Sequence, residues 1–152
     1  TLVAVKLDAP TVAAVGGYYT VYVEGTEASV TVPLSMFEKS EEEGLVLVLA
    51  TVGLEGVRNL STEEPPVRVE AALHVNVYTL DSRRLEVTDL SEPVSIALTS
   101  NRTAVLECAF WEEADWRWAA QGVTLNTSRD DLFVCDSSHL TLFAAIVRGF
   151  VA

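Results

Sequence analysis

The sequence predicts an all-β fold, a twisted β-sandwich of many short strands with at most one or two short helices. Three observations carry that expectation: a strict period-two alternation in the middle of the chain, several further short apolar runs separated by turn residues, and little helical periodicity. In VRVEAALHVNVY, residues 67–78, Val67, Val69, Ala71, Leu73, Val75 and Val77 fall on one face. Arg68, Glu70, Ala72, His74, Asn76 and Tyr78 fall on the other, which is the pattern of a half-buried strand with His74 on its polar side.

Around it the same signal recurs. YYTVYVEG (18–25), ASVTVP (28–33), LVLVLATVG (45–53), PVSIALTS (93–100) and TAVLECAF (103–110) are short strand-like runs bounded by Gly, Pro, Asn, Asp and Ser. Strands at this spacing are those of a sandwich or a strongly twisted pair of sheets. The best helical candidate is PLSMFEKSEEEG (33–44), where Pro33 or Ser35 opens a short turn and Gly44 closes it. The acidic run Glu41, Glu42 and Glu43 reads as a solvated loop or helix end. Gly16-Gly17 precedes strand-like residues, so it reads as a turn and carries no phosphate-loop signature.

A length of 152 residues fits one domain spanning the chain, 1–152, with a substantial core. Ten basic against 22 acidic residues give a net charge of -12, which repels both a nucleic-acid backbone and an anionic membrane surface. Nucleic acid is therefore excluded as a partner. The longest apolar run, GLVLVLATVGL (44–54), is short of the ~20 residues of a membrane helix, and no signal peptide opens the chain. The start at Thr1 and the stop at Ala152 read as the ends of a piece of a larger protein.

Asn59 in NLS, Asn101 in NRT and Asn126 in NTS are glycosylation sequons, which favours an extracellular segment. In that compartment Cys108 and Cys135 read as a disulfide; the alternative is two buried free thiols. Neither His74 nor His139 has a partner at zinc spacing, and no calcium loop is present, Asp130 and Asp131 beside Asn126 being only a faint candidate. No metal and no cofactor is expected.

From residue 104 the chain reads AVLECAFWEEADWRWAAQGVTLNTSRDDLFVCDSSHLTLFAAIV. The ordered set is Cys108 with Phe110-Trp111, Trp116 or Trp118 before Gly122, Cys135, His139-Leu140-Thr141 and an apolar closing strand. It resembles the proteolysis-site (GPS) motif, here about 104–150, of the GAIN domain of adhesion G-protein-coupled receptors and polycystin-1-like proteins. ASVTVPLSMF and LEVTDLSEPVSIALTS resemble, less forcefully, the strand succession of the β-rich subdomain B, so the chain would be that subdomain, without the helical subdomain that usually precedes it. Adhesion receptors usually carry four cysteines in the motif. Here Val123 and Ser137 occupy two of those positions, as expected if the missing pair bond each other and Cys108 bonds Cys135; the two-cysteine form tilts the resemblance toward polycystin.

The resemblance implies self-cleavage between Leu140 and Thr141, with His139 as the base and the Thr141 hydroxyl as nucleophile. In extended chain His139 and Thr141 share a side but stand too far apart for proton transfer, which requires roughly 2.6–3.2 Å. The Leu140-Thr141 peptide should therefore lie in a tight, distorted turn between the last two strands. Leu142, Phe143, Ile146 and Val147 would keep the severed strand bound, and Trp111, Trp116 and Trp118 read as core and cap of the hairpin before it. This is single-turnover chemistry rather than a turnover enzyme. The implied setting is the extracellular side of a plasma or ciliary membrane, within a larger membrane protein. The implied partners are the chain's own last strand, the rest of that protein, and a polycystin-2-like channel subunit or an adhesion ligand. The competing readings are a GAIN-like adhesion or mechanosensory spacer that is never cut, and a generic β-sandwich binding module.

Overall fold

The structure, a computed structural model, describes residues 1–39, 44–58, 66–101 and 105–148. In chain order the elements are β1 (Leu2–Asp8), α1 (Ala9–Ala14), β2 (Tyr18–Tyr22), β3 (Ser29–Pro33), a 3-10 helix (Leu34–Lys39), β4 (Gly44–Thr51), α2 (Leu54–Arg58) and β5 (Val67–Thr79). Then come β6 (Arg84–Leu85), β7 (Val94–Thr99), β8 (Glu107–Glu112), β9 (Arg117–Ala119), β10 (Val123–Asn126), β11 (Phe133–Ser137) and β12 (Leu142–Arg148).

They form two antiparallel sheets. One runs β1-β4-β5-β12-β8-β9, with β6 added beside β5; the other runs β10-β11-β7-β3-β2. Leu45, Leu47 and Leu49 of β4 and Leu73, Val75 and Val77 of β5 are buried with Val30 and Val32 of β3, Val94 and Ile96 of β7 and Phe143 of β12, but the single face expected for Val67 to Val77 is broken where the β5–β12 register shifts between Ala71 and Val69, so Val67 and Val69 belong to the cluster on the other side of the sheet. A second cluster covers the outer side of the larger sheet, where Val57 of α2 packs with Val69, Trp111, Trp118, Ala144 and Ile146. Both faces of β12 are therefore buried, which is why LFAAIV is continuously apolar instead of alternating. Trp111 and Trp118 are core residues of the β8–β9 pair, while Trp116, in the turn between them, stays exposed and meets Trp111 edge to face.

The expected helix over 33–44 is not formed as drawn. Pro33 pairs with Tyr18 as the last residue of β3, the described residues after it, Leu34–Lys39, form a 3-10 helix, and Gly44 opens β4. The reason is tertiary: Met36 and Phe37 are drawn into the core, so the segment turns inward. Glu41, Glu42 and Glu43 lie outside the described residues. Two α-helices that periodicity does not reveal are present. The first is capped by Asp8, whose carboxylate accepts the Thr11 N–H at 2.8 Å, with Pro10 in its first turn.

Candidate functional site

β11 and β12 lie in different sheets, so the four residues between them, Ser138 to Thr141, carry the chain from one layer of the sandwich to the other. The landing point is a gap along one edge of β5. β6 occupies that edge at Val77 and Tyr78, and β12 takes it up again where Leu142 stands opposite His74. The tripeptide His139-Leu140-Thr141 enters through this gap.

Its backbone is held from several directions. The Ser138 N–H donates to Gly122 O at 3.2 Å, and Ser138 O accepts the Leu90 N–H at 3.1 Å. The Leu140 N–H donates to Val87 O at 3.3 Å, and Thr141 O accepts the Val75 N–H at 2.9 Å. The peptide between Leu140 and Thr141 is thus tethered on its left to the segment after β6 and on its right to β5, and the Leu140 side chain packs against the main core. The connection is short, but the approach expected between His139 and Thr141 is not made in it: Nε2 has no hydrogen-bond partner and the contact of Nδ1 is with the Ser137 hydroxyl, so the Thr141 hydroxyl is not hydrogen-bonded to the ring. The connection contains no left-handed residue, since the described non-glycine residues with positive φ are Ser82, Asp89 and Trp116. The distortion expected at this peptide is thus not a left-handed one; the change of layer does the bending.

His139 is half-buried, with its ring edge-to-face on Phe110 at 4.4 Å and tilted against Phe143 at 6.0 Å. Nδ1 lies 3.1 Å from the Ser137 hydroxyl, while Nε2 is buried with no hydrogen-bond partner. Burial among these rings disfavours the imidazolium and holds the His139 pKa below the ordinary histidine value. At neutral pH the ring is therefore an uncharged base. His139, Leu140 and Thr141 together line a cleft of about 330 Å³.

Gly122 has φ +76°, and a Cβ placed there would stand 3.2 Å from Ser138 Oγ and 3.4 Å from His139 Nδ1. The motif glycine is thus both a left-handed turn and a close approach to the histidine. Cys108 of β8 and Cys135 of β11 form a disulfide with Cα atoms 5.8 Å apart, joining the two sheets next to the tripeptide. Asn101 is exposed after β7; Asn126 is half-buried, its amide nitrogen 3.2 and 3.1 Å from the two Asp136 carboxylate oxygens; Asn59 lies outside the described residues.

Comparison with known proteins places these features in a family: the profile described as GAIN subdomain B matches residues 13–148. The chain belongs to the GAIN subdomain B family. Among curated proteins it is similar to Latrophilin Cirl of Drosophila mojavensis and of Drosophila persimilis, 33% identical in each case over 61 residues. Those matches cover 38% of the chain and 4% of the relatives' length. These relatives are adhesion receptors, one of the two parent types that the motif resembles. The family is associated with autoproteolysis, which makes this chain an extracellular module of the autoproteolysis-related kind and sets aside an unrelated β-sandwich binding module.

Three features of this GAIN subdomain were not read from the sequence. Ser137 registered only as a missing cysteine, and its contact with His139 follows from a local turn. Gly122 was noted as a motif residue without its approach to the ring. His74 lines the same cleft, its ring nitrogens both 3.4 Å from the Asn76 amide nitrogen, and its pKa is lowered by burial and then by Arg84, with Glu113 opposing. The signal for His74 was available in the polar face of β5, but the register that sets it opposite Leu142 was not. Among the described residues no three His, Cys, Asp or Glu side chains gather to hold a metal ion, and no helix is long and apolar enough to cross a membrane.

Proposed function

We propose that this module cuts its own chain between Leu140 and Thr141. The observation that carries the reading is the state of His139 in a GAIN subdomain: an uncharged ring whose Nε2 is buried without a partner, in the cleft that also holds the scissile peptide. His139 takes the Thr141 hydroxyl proton while Oγ1 attacks the Leu140 carbonyl carbon. The tetrahedral intermediate collapses with loss of the Leu140–Thr141 C–N bond, and the imidazolium returns its proton to the departing Thr141 nitrogen. An ester between the Leu140 acyl group and the Thr141 oxygen results. Water, deprotonated by the same ring, hydrolyses that ester to a Leu140 carboxylate and a free Thr141 hydroxyl.

The product stays assembled. β12 lies between β5 and β8, and Phe143, Ala144, Ala145 and Ile146 are fully buried. Each large apolar side chain there is worth about 1.5–3 kcal/mol, apart from the ladder hydrogen bonds. The module so described sits on the extracellular side of a membrane protein of the adhesion-receptor type, as a two-piece joint whose second piece is the last strand. Its proposed partners are that strand, the remainder of the parent protein and an extracellular adhesion ligand.

The test is a time course of cleavage followed by denaturing chromatography in three chains. The unsubstituted chain should convert to two pieces, Thr141→Ala should stay whole, and His139→Ala should slow conversion by about 100-fold or more, since general-base assistance contributes about 10²–10⁴. Equal rates in the unsubstituted and Thr141→Ala chains would refute the mechanism.

A further inference from the structure

The Ser137 hydroxyl makes three contacts, all with His139: Oγ lies 3.2 Å from the backbone nitrogen, 2.8 Å from the carbonyl oxygen and 3.1 Å from ring Nδ1. A hydroxyl has one proton and two lone pairs. The His139 carbonyl oxygen can only accept, so it takes the proton. The His139 N–H can only donate, so it takes one lone pair. All three contacts are satisfied together only if Nδ1 carries a hydrogen and donates it to the second lone pair. We infer that Ser137 is a positioning residue that locks His139 in the Nδ1–H tautomer, leaving the Nε2 lone pair as the basic site of the ring.

The opposite tautomer loses on two counts. Ser137 would have to turn its proton to Nδ1 and abandon the His139 carbonyl. Nε2 would then carry a hydrogen in a place where it has no acceptor, and a buried donor without a partner is costly. The ring is also packed on two sides: Phe110 meets it edge to face, and Gly122 lies beside Nδ1, where an added Cβ would stand 3.4 Å from it. Ser137 itself is 1% exposed, so water does not compete for its hydroxyl. A serine therefore does a job here that a disulfide-bonded cysteine, the residue that adhesion receptors usually carry at this position, could not do in the same way, because it has no proton to donate.

This deepens the proposed self-cleavage and rests on it for its effect on rate, but the tautomer is a property of the uncut chain. It is read in Thr141→Ala protein labelled with 15N-histidine, by long-range proton–nitrogen correlation above the ring pKa, with His74 assigned from a His74→Asn chain. The expected spectrum shows His139 with Nδ1 protonated and Nε2 bare; Ser137→Ala added to Thr141→Ala should shift the ring to a mixture or to the Nε2–H form. In the otherwise unsubstituted chain, Ser137→Ala should slow cleavage at least about 10-fold while the disulfide and folded signature persist. An Nε2–H ring in the Thr141→Ala chain overturns the inference, as does an Nδ1–H ring unchanged by Ser137→Ala. An Nδ1–H ring that Ser137→Ala releases, in a protein that never cuts, leaves Ser137 its place and overturns the self-cleavage reading instead.

Discussion

At the scale of single residues the proposed cut depends on keeping one imidazole uncharged, oriented and free on one side. The lowered pKa of His139, caused by burial, fixes the sign of the pH response. The ring is neutral at pH 7, so cleavage should be flat from neutral pH down to about 6.5, the ordinary histidine value, and fall only below it. Stability follows the same sign. The unfolded chain binds the proton first, so the stability is fully present above about pH 6.5 and is lost as the pH falls through the folded-state pKa. His74, lowered chiefly by burial, adds in the same direction. Urea midpoints of Thr141→Ala protein at pH 7.5 and 5.5 should show the loss, and His139→Gln should make it smaller; an equal loss in both chains would remove His139 as its source. Gly122→Ala forces a side chain into a left-handed turn against Ser138 and His139, so a destabilisation of about 1–3 kcal/mol and slower cleavage are expected. Thermal unfolding and the cleavage time course check both. The tripeptide His139-Leu140-Thr141 stands out in the sequence through an ordered motif. The Ser137 contact and the partnerless Nε2 were not legible there, because they depend on where two side chains point after the chain changes layers.

Among the elements, β12 decides what cleavage means. Short apolar runs between turn residues were enough to find β2, β3, β4, β5, β7 and β8, although clear alternation of buried and open positions is confined to β4 and much of β5, while β7 and β8 bury consecutive residues. The helix reading of 33–44 failed where Met36 and Phe37 are taken into the core, and α1 and α2 escaped notice because five or six residues are too few to show a period. β12 was legible as an apolar strand, but its place between β5 and β8 was not, since strand order is a property of pairing across the whole chain. That central place predicts that the amides of Phe143 to Ile146 exchange with solvent as slowly as those of β5, in cut and uncut protein alike, which hydrogen exchange measures directly. Phe143→Ala, emptying a fully buried site, should cost about 3–5 kcal/mol. The measured quantity is the shift in denaturation midpoint of the Thr141→Ala chain.

For the whole molecule, the sandwich is two sheets fastened beside the peptide proposed to be cut. The tripeptide passes from one sheet to the other, and the Cys108–Cys135 bridge joins β8 to β11 next to it. The proposed cut would leave the disulfide as the covalent tie between the sheets at that end and β12 held by burial and hydrogen bonds alone. Replacing both cysteines by alanine should lower stability by about 3 kcal/mol for bridged positions 27 residues apart in sequence, read from urea midpoints in the Thr141→Ala chain. Losing the last strand converts folding into association, so unfolding of the cut form should depend on protein concentration and that of Thr141→Ala should not. The central claim is the cut itself, and native size measurements do not see it because the two pieces travel together. Intact-mass spectrometry under denaturing conditions does. After incubation near neutral pH the unsubstituted chain should give two masses, those of residues 1–140 and 141–152, the smaller beginning at Thr141. A single full-length mass would contradict the account and leave the fold as an uncut spacer.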